Sequence, residues 1–236
     1  MNSKVYSEKL PTKGEATSAL ILRCALSMAR RTGLEGLTIG AIADEMKMSK
    51  TGVFARFGSR EKLLIEALKL YRVQFERAVF HPGLEEHAGL PRLTEVFMRW
   101  VQFEADDSGI GSIYISAAAE YENRSGAVRD VLVAMIKDWQ AWLLHYIKTA
   151  IELGHLPAKL DAEMLVYEIY GLILGLHHDM RLLKLPGSAQ RAMRSFNRLL
   201  EAGGGAQPGS IEAPHPKWWT VHVHWASLRE QRHRAH

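Results

Sequence analysis

The sequence predicts an all-α protein in which a small N-terminal three-helix domain precedes a larger helical domain. Two patterns support this fold class. Between residues 15 and 202, apolar residues recur every three or four positions, the spacing that places them on one face of a helix. Over the same range, no segment alternates apolar and polar residues as a half-buried strand does. Helix-stopping glycines and capping residues divide the range into separate helices.

The N-terminal region predicts a flexible arm followed by short helices. Residues 1–14 contain three lysines and little apolar sequence, which is typical of a basic arm. The first helix is expected from about residue 15 to residue 32, with Gly33 as its stop. Thr38 and Ser49 can cap the next two helices, because a side-chain hydroxyl accepts a hydrogen bond from an otherwise unpaired backbone N–H.

These two capped helices form a helix-turn-helix pattern within the segment LTIGAIADEMKMSKTGVFARFGSREKLL, residues 37–64. The first helix has an apolar face, and the break at residues 47–49 separates it from the second. The second helix offers small, hydroxyl and basic side chains, which suit the major groove of DNA. The segment therefore predicts a DNA-binding module.

The remaining helices form the predicted body. Ser59 caps a helix expected to reach about residue 80, and Pro91 suits the first position of the next. Further helices are expected at 110–121, 127–153, 161–185 and 188–202. The domains are thus an arm (1–14), a helix-turn-helix domain (15–64), a helical ligand-binding and dimerisation domain (65–202) and a tail (203–236). The glycine- and proline-rich tail is expected to be disordered.

Charge and cysteine content agree with a DNA-binding module at one end. Residues 1–70 hold twelve Lys and Arg against seven Asp and Glu, a net charge of +5, whereas residues 71–202 carry −3. A basic end attracts a polyanion such as double-stranded DNA. The single cysteine, Cys24, excludes an internal disulfide framework. We expect a cytoplasmic protein, because no segment resembles a secretion signal or a membrane span.

The helix-turn-helix segment also carries a resemblance to a known family. Residues 16–64 closely resemble the DNA-binding domain of the TetR (tetracycline-repressor-like) transcriptional regulators, including the spacing from Ala43 through Gly52 to Lys62. The body segments ISAAAEYENRSGAVRDVL and MLVYEIYGLILGLHHDMRLL are similar to one ligand-binding branch of that family. The resemblance implies a homodimeric, all-helical repressor that binds double-stranded DNA and is released by a small-molecule effector of unknown identity.

The family pattern, carried over by position, implies ten DNA-binding residues. Base reading would fall to the start of the second motif helix, at Lys50, Thr51, Gly52 and Val53. Phosphate positioning would fall to Thr38, Ser49, Phe54, Arg56, Ser59 and Lys62. Position 54 is usually Tyr in the family, so Phe54 lacks the hydroxyl that would donate to a phosphate. Arg60 has two open interpretations, a DNA contact and simple solvation, and Phe57 is expected in the core.

The resemblance also implies dimerisation through the helices at 161–185 and 188–202. The first of these is apolar around most of its circumference, and one chain has little to cover every face. Gly171 and Gly175 lie four residues apart and permit close approach of another helix. Packing within one chain is the alternative explanation for both glycines.

Five aromatic residues of the body are candidates for the lining of an apolar effector cavity, namely Trp100, Phe103, Tyr114, Trp139 and Trp142. Core packing explains their helical spacing equally well. Glu104, Glu120 or His145 could orient a polar group of the effector. We therefore expect a small apolar or aromatic effector.

Two other functions stay open. The first is a ligand-independent DNA-binding dimer whose body only dimerises. The second, more remote, is a metal-binding helical bundle, although the Glu-x-x-His spacings starting at Glu152 and Glu212 do not form a paired site. We expect no cofactor, no metal and no enzymatic activity, because the sequence contains neither a glycine-rich phosphate loop nor a nucleophile elbow.

Overall fold

The computed structural model describes residues 12–106 and 112–203 of the chain. Within these ranges the chain forms nine α-helices, a short 3-10 turn at Pro82–Glu85 and no strand. The helices are α1 (Lys13–Thr32), α2 (Ile39–Glu45), α3 (Lys50–Phe57), α4 (Arg60–Val79), α5 (Leu90–Ala105), α6 (Ile113–Tyr121), α7 (Ala127–Glu152), α8 (Ala162–Arg181) and α9 (Ser188–Ala202). The predicted all-α fold class is confirmed.

The expected side-chain caps define the helix starts in the N-terminal part of the fold. The hydroxyls of Thr38, Ser49 and Ser59 accept hydrogen bonds from backbone N–H groups three residues later, at 3.0, 3.0 and 3.1 Å. Each bond satisfies one of the N–H groups that a helix start leaves without an intrahelical partner. The two helices of the motif and the following helix therefore begin at the predicted residues.

Three helix ends differ from the sequence prediction by two or more residues, and one of them is the start of α6, which lies at Ile113 instead of residue 110. Helix α1 begins at Lys13, inside the expected arm, because Thr12 and Glu15 form a capping box around its first turn. Helix α8 ends at Arg181 instead of continuing to residue 185, and the backbone at Lys184 has a φ of 52°, which is not helical. The rest of the expected arm, residues 1–11, and nearly all of the tail, residues 204–236, lie outside the described residues.

Helix α4 connects the N-terminal head, α1 to α3, with the body, α5 to α9. It packs against α1 and α3 of the head and against α5 and α7 of the body. Its buried residues recur at helical spacing and are Leu63, Leu64, Ala67, Leu68, Tyr71, Phe75 and Val79. One cluster of buried apolar residues consequently runs from α1 through α4 to α9. No helix in the described part of the chain combines the length and apolar character needed to span a lipid bilayer.

Candidate nucleic-acid interface

The outward side of α3 carries half of the predicted base-reading and phosphate-binding residues. We call Lys50, Thr51, Gly52, Phe54 and Arg56 the α3 surface. All of them are exposed except Gly52, which is half-buried. Neither Lys50 nor Arg56 forms an ion pair with another described residue. These two cations are therefore available to a polyanion.

Val53 is the exception among the base-reading candidates. Its side chain is fully buried, and so is that of Phe57 one turn later. Both belong to the hydrophobic core that holds α3 against the rest of the head. The Val53 side chain therefore offers no surface to a base in this structure, whereas the assignment of Phe57 to the core is confirmed.

A close approach between α2 and α3 places Lys50. A Cβ atom added at Gly40 would lie 3.3 Å from Cε of Lys50, tighter than an ordinary side-chain contact. The chain reverses between the two helices at Lys47, where φ is 52°. The small residue at position 40 and this tight turn bring the start of α3 next to the start of α2.

The three capping residues lie exposed around the α3 surface. Since the oxygens of Thr38, Ser49 and Ser59 accept backbone N–H groups, each hydroxyl keeps its own hydrogen for donation to a phosphate. Lys62 is exposed in the first turn of α4. The helix starts add positive partial charge at the same places.

Glu35, in the loop between α1 and α2, ties the head to the body. Its Oε1 accepts hydrogen bonds from the hydroxyl of Tyr121 at 2.8 Å, from Nη1 of Arg124 at 2.7 Å and from Nη2 of Arg60 at 3.3 Å. The Tyr121 hydrogen bond and then the two guanidinium groups lower the pKa of Glu35 to about 2. The backbone N–H of Glu35 also donates to Oε2 of Glu120 at 2.9 Å. We call this group of residues the Glu35 junction.

Arg60 has a structural role in this junction. Its Nε donates to the carbonyl oxygen of Leu37 at 2.6 Å, and its Nη2 donates to the carbonyl oxygens of Leu34 and Glu35 at 3.2 and 3.0 Å. The sequence is compatible with either a DNA contact or solvation for Arg60. Its actual partners, backbone carbonyls of the loop before α2, leave no local sequence pattern. A cavity of about 190 Å³ lies beside the junction, and none of the five predicted effector-binding aromatics lines it.

Those five aromatic residues lie in the interior of the body. Trp100, Tyr114 and Trp139 are fully buried, and Phe103 is 8% exposed. Their ring centroids surround that of Phe75 at distances of 4.1 to 6.0 Å. Trp142 is half-buried, with its ring 4.9 Å from that of Phe80. The structure brings four of the five together around Phe75, which the sequence did not single out, and contact with an effector stays a prediction.

Comparison with known proteins gives the family. A model of the tetR family of bacterial regulatory proteins matches residues 21–67, and a model of the tetracyclin repressor-like C-terminal domain matches residues 89–196. The chain belongs to the TetR family of transcriptional regulators. Members of the TetR family are DNA-binding regulators that generally lack enzymatic activity and typically dimerise. No curated protein matches the sequence.

Solved structures share the TetR fold at low sequence identity. A TetR-family regulator from Agrobacterium tumefaciens has a TM-score of 0.72 and 18% identity, covering 82% of this chain and 100% of that chain. A regulator from Saccharomonospora viridis in complex with choline has a TM-score of 0.64 and 22% identity, covering 79% of this chain and 96% of that chain. AibR, in complex with isovaleryl coenzyme A and operator DNA, has a TM-score of 0.62 and 18% identity, covering 80% of this chain and 99% of that chain.

Helix α8 of this TetR-family chain exposes an apolar face. We call Met164, Tyr167, Gly171, Leu174 and Gly175, together with Leu182 directly after the last residue of the helix, the α8 face, since their spacing of three, four and seven residues places them on one side. Tyr167 is 76% exposed and Leu182 is 69% exposed. A Cβ atom added at Gly171 or Gly175 would meet no other atom within 4 Å. Packing within the described chain therefore does not explain the two glycines.

The metal-binding alternative has no support in the described ranges. No group of three or more His, Cys, Asp or Glu side chains there is arranged to hold a metal ion. Glu152 and His155, which have a metal-ligand spacing in sequence, lie on either side of the α7 end, and His155 Nδ1 instead accepts a hydrogen bond from the backbone N–H of Leu90 at 3.2 Å.

Proposed function

We propose that this TetR-family chain is a homodimeric repressor that binds a specific operator and leaves it when a small apolar or aromatic ligand binds the body. The observation that carries the proposal is the α3 surface, where unpaired basic and hydroxyl side chains stand on a rigid helix-turn-helix. Charged side chains that contribute no ion pair to the fold are free to bind phosphate and base edges. The repressor acts in the cytoplasm, where bacterial operator DNA is accessible.

Two groups of side chains contact the operator in this proposal. Lys50 and Thr51 reach base edges, and Gly52 lets the helix backbone approach the groove. The buried Val53 is left out. The phosphate contacts come from Thr38, Ser49, Phe54, Arg56, Ser59 and Lys62.

The dimer forms through α8 and α9, with the α8 face against its copy in the partner. Large exposed apolar side chains are costly in water and mark protein interfaces. The open space over Gly171 and Gly175 allows a second helix to approach closely. Helix α9 packs along α8 and supplies the second helix of each chain to a four-helix contact. A symmetric dimer presents two α3 surfaces to two operator half-sites.

Release of the operator is coupled to the body through α6. Its first turn contributes Tyr114 to the aromatic cluster around Phe75, and its last residue, Tyr121, binds Glu35 of the head. A ligand that displaces Tyr114 therefore moves an element that holds the loop before α2. The complexes of AibR with isovaleryl coenzyme A and of the Saccharomonospora viridis regulator with choline are precedents for ligands in this fold.

The test is binding to a duplex from the promoter region upstream of the gene, compared with a scrambled duplex. Fluorescence anisotropy should give an affinity about 10³-fold or more above that of the scrambled duplex, with two chains per site. The double variant Lys50→Ala, Arg56→Ala should bind both duplexes equally weakly. Specific binding that survives in this variant would contradict the assignment of α3. A body that takes up no small molecule, with operator binding intact, would favour the ligand-independent dimer.

A further inference from the structure

The interior of the body contains several buried polar atoms without hydrogen-bond partners. In the described part of the chain they are Oε1 of Glu104, the hydroxyl oxygens of Tyr71 and Tyr114, Nε1 of Trp100 and Oγ of Ser112, and Nε of Arg30 on α1 is a further such atom. Buried polar side-chain atoms in folded proteins usually have a partner, and each exception needs an explanation such as an absent ligand. The clustering of such atoms within one domain indicates that a bound ligand would supply their missing hydrogen-bond partners.

These atoms belong to one site. Trp100 and Glu104 are one turn apart on α5, and the ring of Tyr114 lies 6.4 Å from that of Trp100 and 6.4 Å from that of Tyr170. Burial and then the nearby charge of Glu104 raise the pKa of Tyr71 well above its usual value. The carboxylate and the tyrosine hydroxyls therefore share the same space between α4, α5, α6 and α8.

Among these groups, the carboxylate of Glu104 has the largest free-energy cost of burial without a hydrogen-bond partner. Its side chain is fully buried, and an ionised carboxylate loses more hydration free energy on burial than a neutral hydroxyl does. One oxygen, Oε2, lies 3.2 Å from Nδ1 of His177. The guanidinium of Arg181 donates to the backbone oxygen of Glu104 at 3.4 Å and leaves Oε1 unpaired. Burial raises the pKa of Glu104, and the His177 contact opposes this shift.

A matched carboxylate on the same helix shows that burial alone does not produce this arrangement. Glu95 is also buried on α5, at 8% exposure, but its Oε1 accepts a hydrogen bond from Nε of Arg99 at 2.7 Å. Glu95 is satisfied within its own helix. No described residue donates to Oε1 of Glu104, although His177 lies beside its Oε2 and Arg181 beside its backbone oxygen.

We propose that Glu104 is the anchor of the effector site and that the effector carries a protonated amine on an apolar or aromatic body. The ammonium group would donate to Oε1, and the faces of Trp100, Tyr114 and Tyr170 would surround it, since aromatic rings attract cations. This inference rests on the proposed function as a ligand-responsive repressor. The rings pack closely here, so an effector that enters displaces Tyr114 and with it α6.

The experiment compares three probes that share one phenyl body and differ in the head group: 2-phenylethylammonium, 2-phenylethanol and 3-phenylpropanoate. Each is titrated into the full-length dimer with tryptophan fluorescence as the readout, because Trp100 and Trp139 lie at the site. The ammonium probe should bind at least about tenfold more tightly than the alcohol. The carboxylate probe should bind most weakly, because its charge repels Glu104.

Two variants separate recognition from packing. Glu104→Gln keeps the size of the side chain and should abolish the preference for the ammonium probe, whereas Glu95→Gln should keep it. Equal binding of ammonium and alcohol by the native protein, an unchanged preference in Glu104→Gln, or no binding of any probe up to its solubility would each overturn the proposal.

Operator binding is measured on the same samples without probe. A protein that prefers the ammonium probe but fails to bind its promoter would contradict the proposed function and leave the amine site standing. A protein that binds its promoter but shows no head-group preference would contradict only the amine site.

Discussion

The α3 surface and the α8 face are both exposed sides of helices whose opposite sides are buried in the core. Their chemistry differs sharply. The α3 surface presents two cations and a hydroxyl, with Phe54 as its one large apolar side chain. The α8 face presents large apolar side chains and two glycines, and Tyr167 is 76% exposed.

This difference indicates two kinds of partner. Basic and hydroxyl side chains are well hydrated, so the α3 surface is stable in water and can bind and release a polyanion. The α8 face exposes apolar area to water, which favours lasting association with another apolar surface. In the proposed assembly, the chain therefore stays a dimer through α8 while its heads bind and leave DNA.

Leu174→Glu should produce the largest effect, because it places a charge within the α8 face. Burying an unpaired carboxylate against an apolar partner costs several kcal/mol, of the order of 3 or more. The dimer should dissociate at micromolar concentration, as measured by sedimentation or light scattering. The matched control is Val73→Glu, at a valine of α4 that is 53% exposed and lies outside the α8 face. A Leu174→Glu protein that stays dimeric would exclude this face from the interface.

Single substitutions on the α3 surface should have the next largest effect, on DNA affinity alone. Lys50→Ala should cost about 1–3 kcal/mol on the operator and relax the preference at one base pair. Arg56→Ala should weaken binding to all sequences and reduce the salt slope by about one. Lys69→Ala, at an exposed lysine of α4 that pairs with Glu66, should change neither quantity. Anisotropy titrations at several salt concentrations measure both, and a sequence-independent loss for Lys50→Ala would assign that lysine to phosphate instead.

Glu35→Gln, in the junction that ties the head to the body, should lower the free energy of unfolding by only about 1 kcal/mol. A carboxylate that is 37% exposed is partly screened by water. The pKa of Glu35 is lowered to about 2 from 4.5. Its contribution to stability is therefore complete above pH 4.5 and is lost as the pH falls toward 2.

Chemical denaturation of the native protein and of Glu35→Gln across this pH range measures the difference. The two unfolding free energies should converge as the pH falls, and parallel curves would contradict the role of the junction. Glu45→Gln, which removes an exposed ion pair with Arg31 within the head, is the control with a smaller expected loss.

Phe54→Tyr should have the smallest effect and the opposite sign. It adds a hydroxyl at a position that is 53% exposed on the α3 surface, so stability should hardly change. One additional hydrogen bond to a phosphate should improve DNA affinity by about 0.5–1.5 kcal/mol. Phe54→Leu should give no such gain. A Phe54→Tyr protein that binds DNA no more tightly than the native protein would show that residue 54 does not reach the backbone of the DNA.

Local sequence is sufficient to specify the features that depend on neighbouring residues. Caps at Thr38, Ser49 and Ser59 lie three residues from the N–H groups they bind, so local sequence places the helix starts. The helix-turn-helix and the all-α class follow from the same short-range patterns. The end of α8 has no side-chain cap and lies before the predicted residue 185, and the start of α1 also differs because the capping box at Thr12 begins the helix before the predicted residue 15.

The contacts between residues far apart in sequence depend on how the helices pack in three dimensions. Periodicity could not show that Val53 faces the core while Phe54 faces outward, because that depends on where α1 and α4 pack. Tyr121 binds Glu35 from 86 residues away, and Oε1 of Glu104 is left unpaired by the helices that enclose it. Hydrogen bonding within a helix is local, whereas burial and the pairing of charges depend on how distant helices pack, and no short segment of sequence specifies that packing.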